Sequence, residues 1–296
     1  MKTILVFGAT SKIGRSLIDL LRVTPDVKVI AAVRTQENAN LFEAKGISTR
    51  LIDLDTYEVH GLSGLIDKMK GVNSVFLLTG YHVNMLAHSK AVIDASLAAG
   101  IEHIVHMGAY ATPDTTVVHL GWHQFIEAYI KTSGIGYTFL HPNVFMQNLF
   151  MIAGKQRTDP EIIEWYTGNS SLSWVDCEDV ALVASKVLSI PDNYIGKAIP
   201  LAYDVASVPE VAHLLGEVLQ QKFIYQDKDP SVFLDKMLKL GAEPVYMHCV
   251  ENVLRRQGNG SLTEAADVFD NFEAITGRKP TTLIDFIRRN KDILTY

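Results

Sequence analysis

Five short runs rich in branched apolar residues punctuate the first half of the chain: TILVF (3–7), KVIAAV (28–33), SVFLLT (74–79), HIVHM (103–107) and YTFL (137–140). Runs so little interrupted by polar side chains suit strands buried on both faces. The segments between them, IGRSLIDLLR, QENANLFEAKG, NMLAHSKAVIDASLAAG and GWHQFIEAYIKTSG, repeat their apolar residues at helical spacing, and three of the four finish on Gly46, Gly100 and Gly134, as helix C-caps do. Strand and helix in alternation, joined by short links, predict a parallel sheet of right-handed crossovers: a doubly wound α/β fold.

The alternation ends near residue 150. VDCEDVALVASKVLS (175–189) reads as a helix that packs on the sheet, so residues 1–150, with 174–200 returning to them, form the expected first domain. Residues 151–173 and 200–296, mostly helical beyond GKAIPLAYDVASVPEVAHLLGEVLQ, form a smaller lobe expected to cap the carboxyl edge of the sheet, where open α/β sheets bind ligands. No internal repeat or low-complexity linker separates the two.

A net charge of −6 points away from a surface built for nucleic acid or anionic membrane, although it says nothing about a single cleft. Cys177 and Cys249, the only cysteines, make neither a disulfide framework nor a metal-ligand spacing, which favours a reducing cytoplasm. The apolar run of MKTILVFGAT stops at a glycine, too early for a signal peptide or a membrane span. A soluble cytoplasmic protein is expected, with a homodimer left open.

Between the first run and the first helix lies Gly8–Ala9–Thr10–Ser11–Lys12–Ile13–Gly14. Gly8 permits a tight bend out of the strand, and Gly14 lets the helix lie close against it. Dinucleotide-binding turns place a third glycine between these two so that the main chain can approach a pyrophosphate on the helix N-terminus. Here that place holds Ser11, small and able to donate a hydrogen bond, with Lys12 adding a charge. The alternative is a turn that merely links strand to helix.

The end of the second run selects the nucleotide. KVIAAVRTQ carries no acid and ends in Arg34, whose forked donors suit a 2′-phosphate, so NADP(H) is preferred over NAD(H). Asp53, near the end of TRLIDLD (49–55), is either an acceptor for the adenine amino group or an ordinary loop aspartate. Leu78, Thr79 and Gly80 end the third run, where Gly80 lets the main chain pass close to a cofactor. Met107 and Gly108, ending the fourth, are expected beside the nicotinamide.

The GATSKIG turn, the Val33–Arg34 pair, the block E-x-x-I-K-T-S-G-I-x-Y-T-F-L from Glu127 to Leu140, HPNVFMQN (141–148), SWVDCEDVA (173–181) and ITGRKPTTLIDFIRRN (275–290) resemble the NmrA-like group of atypical short-chain dehydrogenases, nearest to its NAD(P)H-dependent quinone and triphenylmethane-dye reductases. The resemblance spans nearly the whole chain. It implies a Rossmann-type NADP-binding domain with a small helical substrate lobe, and a nicotinamide and substrate site walled by 141–146, including Pro142, Asn143, Val144 and Phe145.

Short-chain dehydrogenases of the usual kind protonate a substrate oxygen with a Ser and a Tyr-x-x-x-Lys pair. The serine position here is Gly108, the Tyr-x-x-x-Lys positions read His119-x-x-x-His123, and His141 stands where the group commonly has an arginine. Ketone reduction is thereby put in doubt, whereas a quinone, dye or iminium accepts hydride with less help. His123 is the candidate to donate a proton or fix a substrate oxygen, its alternative being a purely structural helix histidine. His119, His123 and Glu127 share a helix face, but without HExxH or a cysteine no metal site is expected.

Tyr81, Tyr110, Trp122, Phe145 and Trp174 are candidates to line a flat apolar pocket, with Tyr81 and Trp122 expected to be exposed in it. The leading expectation is an NADPH-dependent reductase of a quinone-like or other conjugated small molecule. The alternatives are a non-catalytic NADP(H)-sensing regulator and a reductase dedicated to one biosynthetic intermediate.

Overall fold

The first strand, β1 (Lys2–Val6), buries Ile4, Leu5 and Val6 completely, and the computed structural model builds a seven-stranded sheet around it. The structure describes residues 1–57, 61–154, 159 and 161–295. The other strands of this sheet are β2 (Val27–Val33), β3 (Ser48–Leu51), β4 (Ser74–Leu77), β5 (His103–Met107) and β6 (Gly136–Pro142), in the spatial order β3-β2-β1-β4-β5-β6, with a late strand, Lys197–Leu201, beyond β6. Strands β1 to β6 pair in parallel. Every residue of β4 and β5 is buried, as the unbroken apolar runs require. Each fully buried Val, Leu or Ile contributes on the order of 1.5–3 kcal/mol of transfer free energy.

The chain winds outward from β1 to β2 and β3, then returns to the other side of β1 at β4. The reversal leaves β1 and β4 as neighbours at the switch point of the sheet. Phe7 N–H donates to the Phe76 carbonyl at 2.9 Å, after which the two chains part. Gly8 follows with φ +70°, and a Cβ there would stand 2.8 Å from Leu78 Cγ. The helix Lys12–Leu21 then lies so close that a Cβ on Gly14 would stand 2.2 Å from the Gly8 carbonyl oxygen. Ser11 caps this helix, its Oγ accepting from Gly14 N–H at 2.9 Å.

The chain forms two compact units: Met1–Ala109 with Leu120–His141 and Val180–Ile199, and Tyr110–His119 with Pro142–Asp179 and the chain from Pro200 on. Relative to the expected boundaries, 110–119 and 174–179 join the second unit, and so do 142–150. The reason for the latter is a strand pairing: β7 (Val144–Phe145) runs parallel to β9 (Ser171–Val175), with Val144 opposite Trp174. Another strand of that unit, β8 (Ile162–Trp165), lies between them in sequence and pairs instead with the late strand Ile224–Asp227. The buried Asp176 accepts from Gln147 Nε2 at 2.6 Å and pairs with Arg289, and Asp179 accepts from Thr281 N–H at 2.6 Å. These bonds tie SWVDCEDVA to the closing segment. Burial pushes the Asp179 carboxyl up. Among the described residues no helix is long and apolar enough to cross a membrane.

Two glycine substitutions should act with opposite signs. Gly14→Ala forces main chain apart and should destabilise by about 2–4 kcal/mol, whereas Gly64→Ala, in the helix Leu62–Met69 with open space around it, should stabilise by about 0.5–1 kcal/mol. Urea midpoints of the two variants against the parent protein measure the contrast.

Candidate cofactor site

The carboxyl ends of β1 to β4 frame a cleft of about 710 Å³ in the first unit, within the range of about 300–1,000 Å³ usual for ligand sites. Gly8, Thr10, Ser11, Arg34, Asp53, Leu78, Thr79, Gly80 and Tyr81 all line it. Lys12, Ile13 and Gly14 open the helix that starts at the loop, with Ile13 buried. The missing side chain at Gly8 brings main chain to the cleft wall, Gly14 packs against the Gly8 carbonyl outside the cleft lining, and the positive end of the helix dipole lies behind the loop. Those features, with the Arg34 guanidinium in the same cleft, fit the phosphates of a dinucleotide.

The cleft also contains groups that sequence reasoning missed: Asp55, His82 and His88. The segment KVIAAVRTQ has no acid, but β3 runs parallel beside β2 with Val33 opposite Leu51, so the turn after β3 emerges next to Arg34. Asp53 Oδ1 caps that turn by accepting from Asp55 N–H at 3.1 Å. Asp55 Oδ2 lies 3.7 Å from Arg34 Nη1, and its Oδ1 lies 2.9 Å from Nε2 of the buried His88. The His82 ring meets the His88 ring edge-on at 5.1 Å between centroids. Burial lowers the His88 pKa, with Asp55 acting the other way.

A second polar group gathers at the ends of β5 and β6. Fully buried His106 on β5 places Nε2 3.2 Å from Nδ1 of His123 on the helix Val118–Ser133. One turn further along that helix, Glu127 Oε1 lies 2.6 Å from His141 Nε2. A Cβ on Gly108 would come within 2.7 Å of that same Glu127 oxygen, so the Glu127–His141 pair takes the space of a serine side chain. Met107, just before, is buried. Burial drives the His106 pKa well below its ordinary value and keeps the ring neutral. His106 and Glu127 were not identified as site groups from sequence, because each reads there as part of an apolar strand or an ordinary helix.

The remaining residues fall elsewhere. His119 packs its ring on Tyr246 at 5.2 Å in the second unit, and burial lowers its pKa to about 4. His119, His123 and Glu127 therefore each have a different partner. Tyr110 O–H donates to Asp267 Oδ2 at 2.7 Å, and burial, more than that carboxylate, raises its pKa to about 12. Asn143 Nδ2 donates to Ser173 Oγ at 2.8 Å, Pro142 is buried, and Val144 and Phe145 form the half-buried β7.

Two pocket expectations need correction. Trp122 is buried rather than exposed, because it shares the spacing of Ile126 and Ile130 on the inward helix face. Trp174 is fully buried in β9 with its indole N–H donating to the Ala206 carbonyl at 2.9 Å, a core residue and not a pocket wall. Tyr81, 69% exposed, does stand in the cleft.

Strand β5 predicts a pH dependence. His103 Nε2 lies 2.9 Å from Thr138 Oγ1, which donates to the Tyr194 carbonyl, and burial lowers the His103 pKa to about 4. The unfolded chain takes up this proton first, near pH 6.5. Stability should therefore fall as pH drops from about 6.5 towards 4, by as much as roughly 3 kcal/mol from His103. Urea unfolding should show a shallower fall over that window in His103→Gln.

The NmrA-like family model matches residues 1–286. Over 193 residues the chain is 33% identical to the NAD(P)H azoreductase of Xenophilus azovorans, a match covering 64% of each protein, so this chain spans less than two thirds of that relative's length in the comparison. The structure of triphenylmethane reductase from Citrobacter sp. in complex with NADP(H) superposes with a TM-score of 0.82 at 23% identity, covering 97% of this chain and 99% of that one. The NADPH complex of a quinone oxidoreductase from Escherichia coli superposes with a TM-score of 0.81 at 22% identity, covering 97% and 99%. At such identities these two likenesses speak for the fold.

Proposed function

The chain belongs to the NmrA-like family, and on that premise we propose that it is an NADPH-dependent reductase of quinone-like, azo or other conjugated small molecules. The observation that carries this reading is the cleft at the β1–β4 switch point, where a glycine-walled loop, a helix N-terminus and Arg34 face one space. The names of the azoreductase relative and of the two superposed reductases support it.

In this reading the Gly8–Ser11 main chain and the N-terminus of the helix Lys12–Leu21 hold the pyrophosphate, and Arg34 holds a 2′-phosphate. Gly80 lets the main chain approach the cofactor, and Asp53 faces the adenine end. Pro142–Phe145 contribute the wall that the family resemblance implies, and Tyr81 offers an aromatic face to a flat substrate. The cofactor supplies a hydride. Gly108, His119 and His123 leave no Ser–Tyr–Lys set, so proton handling falls to His123. His106, neutral through burial, shares a hydrogen bond with His123 Nδ1. The bond orients the His123 ring, so that the opposite nitrogen, Nε2, is the one to deliver a proton.

The acceptor decides how much this proton matters. A quinone oxygen or an azo nitrogen needs a proton when hydride arrives, whereas a cationic triphenylmethane dye is neutralised by hydride alone. His123→Asn should therefore lower kcat about 100-fold on a quinone and change it less than about threefold on a cationic dye, with the NADPH Kd unchanged. Absorbance loss of the reduced nicotinamide across a panel of quinones, azo dyes and triphenylmethane dyes makes the measurement. Tight NADPH binding with no oxidation by any member of the panel would overturn the reductase reading in favour of a nucleotide sensor.

A further inference from the structure

Arg34 and Asp55 make opposite demands on the same end of the cleft. A guanidinium recruits a 2′-phosphate, and a carboxylate recruits a free ribose hydroxyl while repelling that phosphate. We infer that Asp55, held by His88, is the residue that sets the balance between phosphorylated and unphosphorylated nicotinamide cofactors in this cleft. The inference rests on the cofactor reading above.

Geometry supports the assignment. The two Asp55 oxygens are divided between two partners, Oδ1 to His88 Nε2 at 2.9 Å and Oδ2 towards Arg34 Nη1 at 3.7 Å. His88 is buried on the helix Met85–Ala98, so its ring is a fixed anchor, whereas Arg34 is exposed and able to move. The carboxylate therefore stays in place and the guanidinium is the adjustable member. A phosphate at Arg34 must compete with an acid that is already there, and an unphosphorylated ribose finds an acceptor that the β2 segment lacks. Asp53 is not equivalent. Its Oδ1 is turned back to cap its own turn, and its expected contact, adenine, is common to both cofactors.

Equilibrium binding of NADPH and of NADH, followed by calorimetry on the whole protein without substrate, tests the inference. Asp55→Asn should raise the ratio of the NADH Kd to the NADPH Kd by about fivefold, the upper end of what one exposed charge pair is worth. His88→Asn, which releases the anchor, should move the ratio the same way by a smaller factor, and Asp53→Asn should leave it within about twofold. A ratio unchanged in Asp55→Asn, or both affinities shifted by one common factor, overturns the inference while leaving the cofactor site standing. A parent protein that binds neither nucleotide overturns the cofactor reading itself, and this inference with it.

Discussion

The contact on which the first unit depends is between main-chain atoms: the Cα of Gly14 against the carbonyl of Gly8. A methyl group at either glycine has nowhere to go, since Gly8 also faces Leu78, just past the end of the neighbouring strand β4. Helix, first loop and switch point are thus locked together by the absence of side chains. The same absence exposes main-chain groups to the cleft, which is what an anion-binding wall needs. Ser11 fits this design differently from a third glycine. Its Oγ takes the Gly14 N–H as a helix cap, a bond worth about 1 kcal/mol, so the loop gains rigidity where a glycine would have left it loose.

Electrostatics in the unit separate into an exposed set and a buried one. At the cleft, Arg34 and Asp55 form a pair in partial contact with water, which contributes little and leaves the guanidinium free to follow a ligand. Inside the sheet, His103 and His106 are neutral because burial makes their charged forms costly, and each has a specific partner, Thr138 or His123. The two sets therefore respond to different variables: ligand charge at the cleft, and proton concentration in the interior.

Strands β1, β2, β4, β5 and β6 were legible because burial on both faces leaves a sequence signature that survives without any knowledge of neighbours. The turn was legible because two glycines and a helix cap act over seven residues. Asp55 was not, since its place beside Arg34 exists only once β3 is known to pair with β2. The pairs His106–His123 and Glu127–His141 were hidden for the same reason: each joins a strand to the helix packed on it. Trp122 was misread although its i, i+4 partners Ile126 and Ile130 were in plain view, because Gly121 reads as the opening of the helix, whereas the helix begins at Val118 and Trp122 lies inside it. In the second unit the pairing of Val144 with Trp174 turns on a two-residue strand, too short for any periodic signal.

The spacing of a parallel sheet turns this arrangement into a division of labour. Adjacent strands lie about 4.8 Å apart, so the loop after β1 and the histidine pair at β5, two strands away through β4, are separated by roughly 10 Å along one edge. The groups proposed to hold charge on the ligand and those proposed to handle a proton thus sit on one sheet without touching each other. On the proposed reading, changes at Arg34 or Asp55 act on the affinity of the cleft and changes at His123 or His106 on proton supply, with the buried strand β4 between the two. On the same reading, a fold that fixes distance in this way can differ in its acid–base residues, as proposed at Gly108 and His123, without altering the proposed nucleotide site, because the requirement for one does not pass through the other.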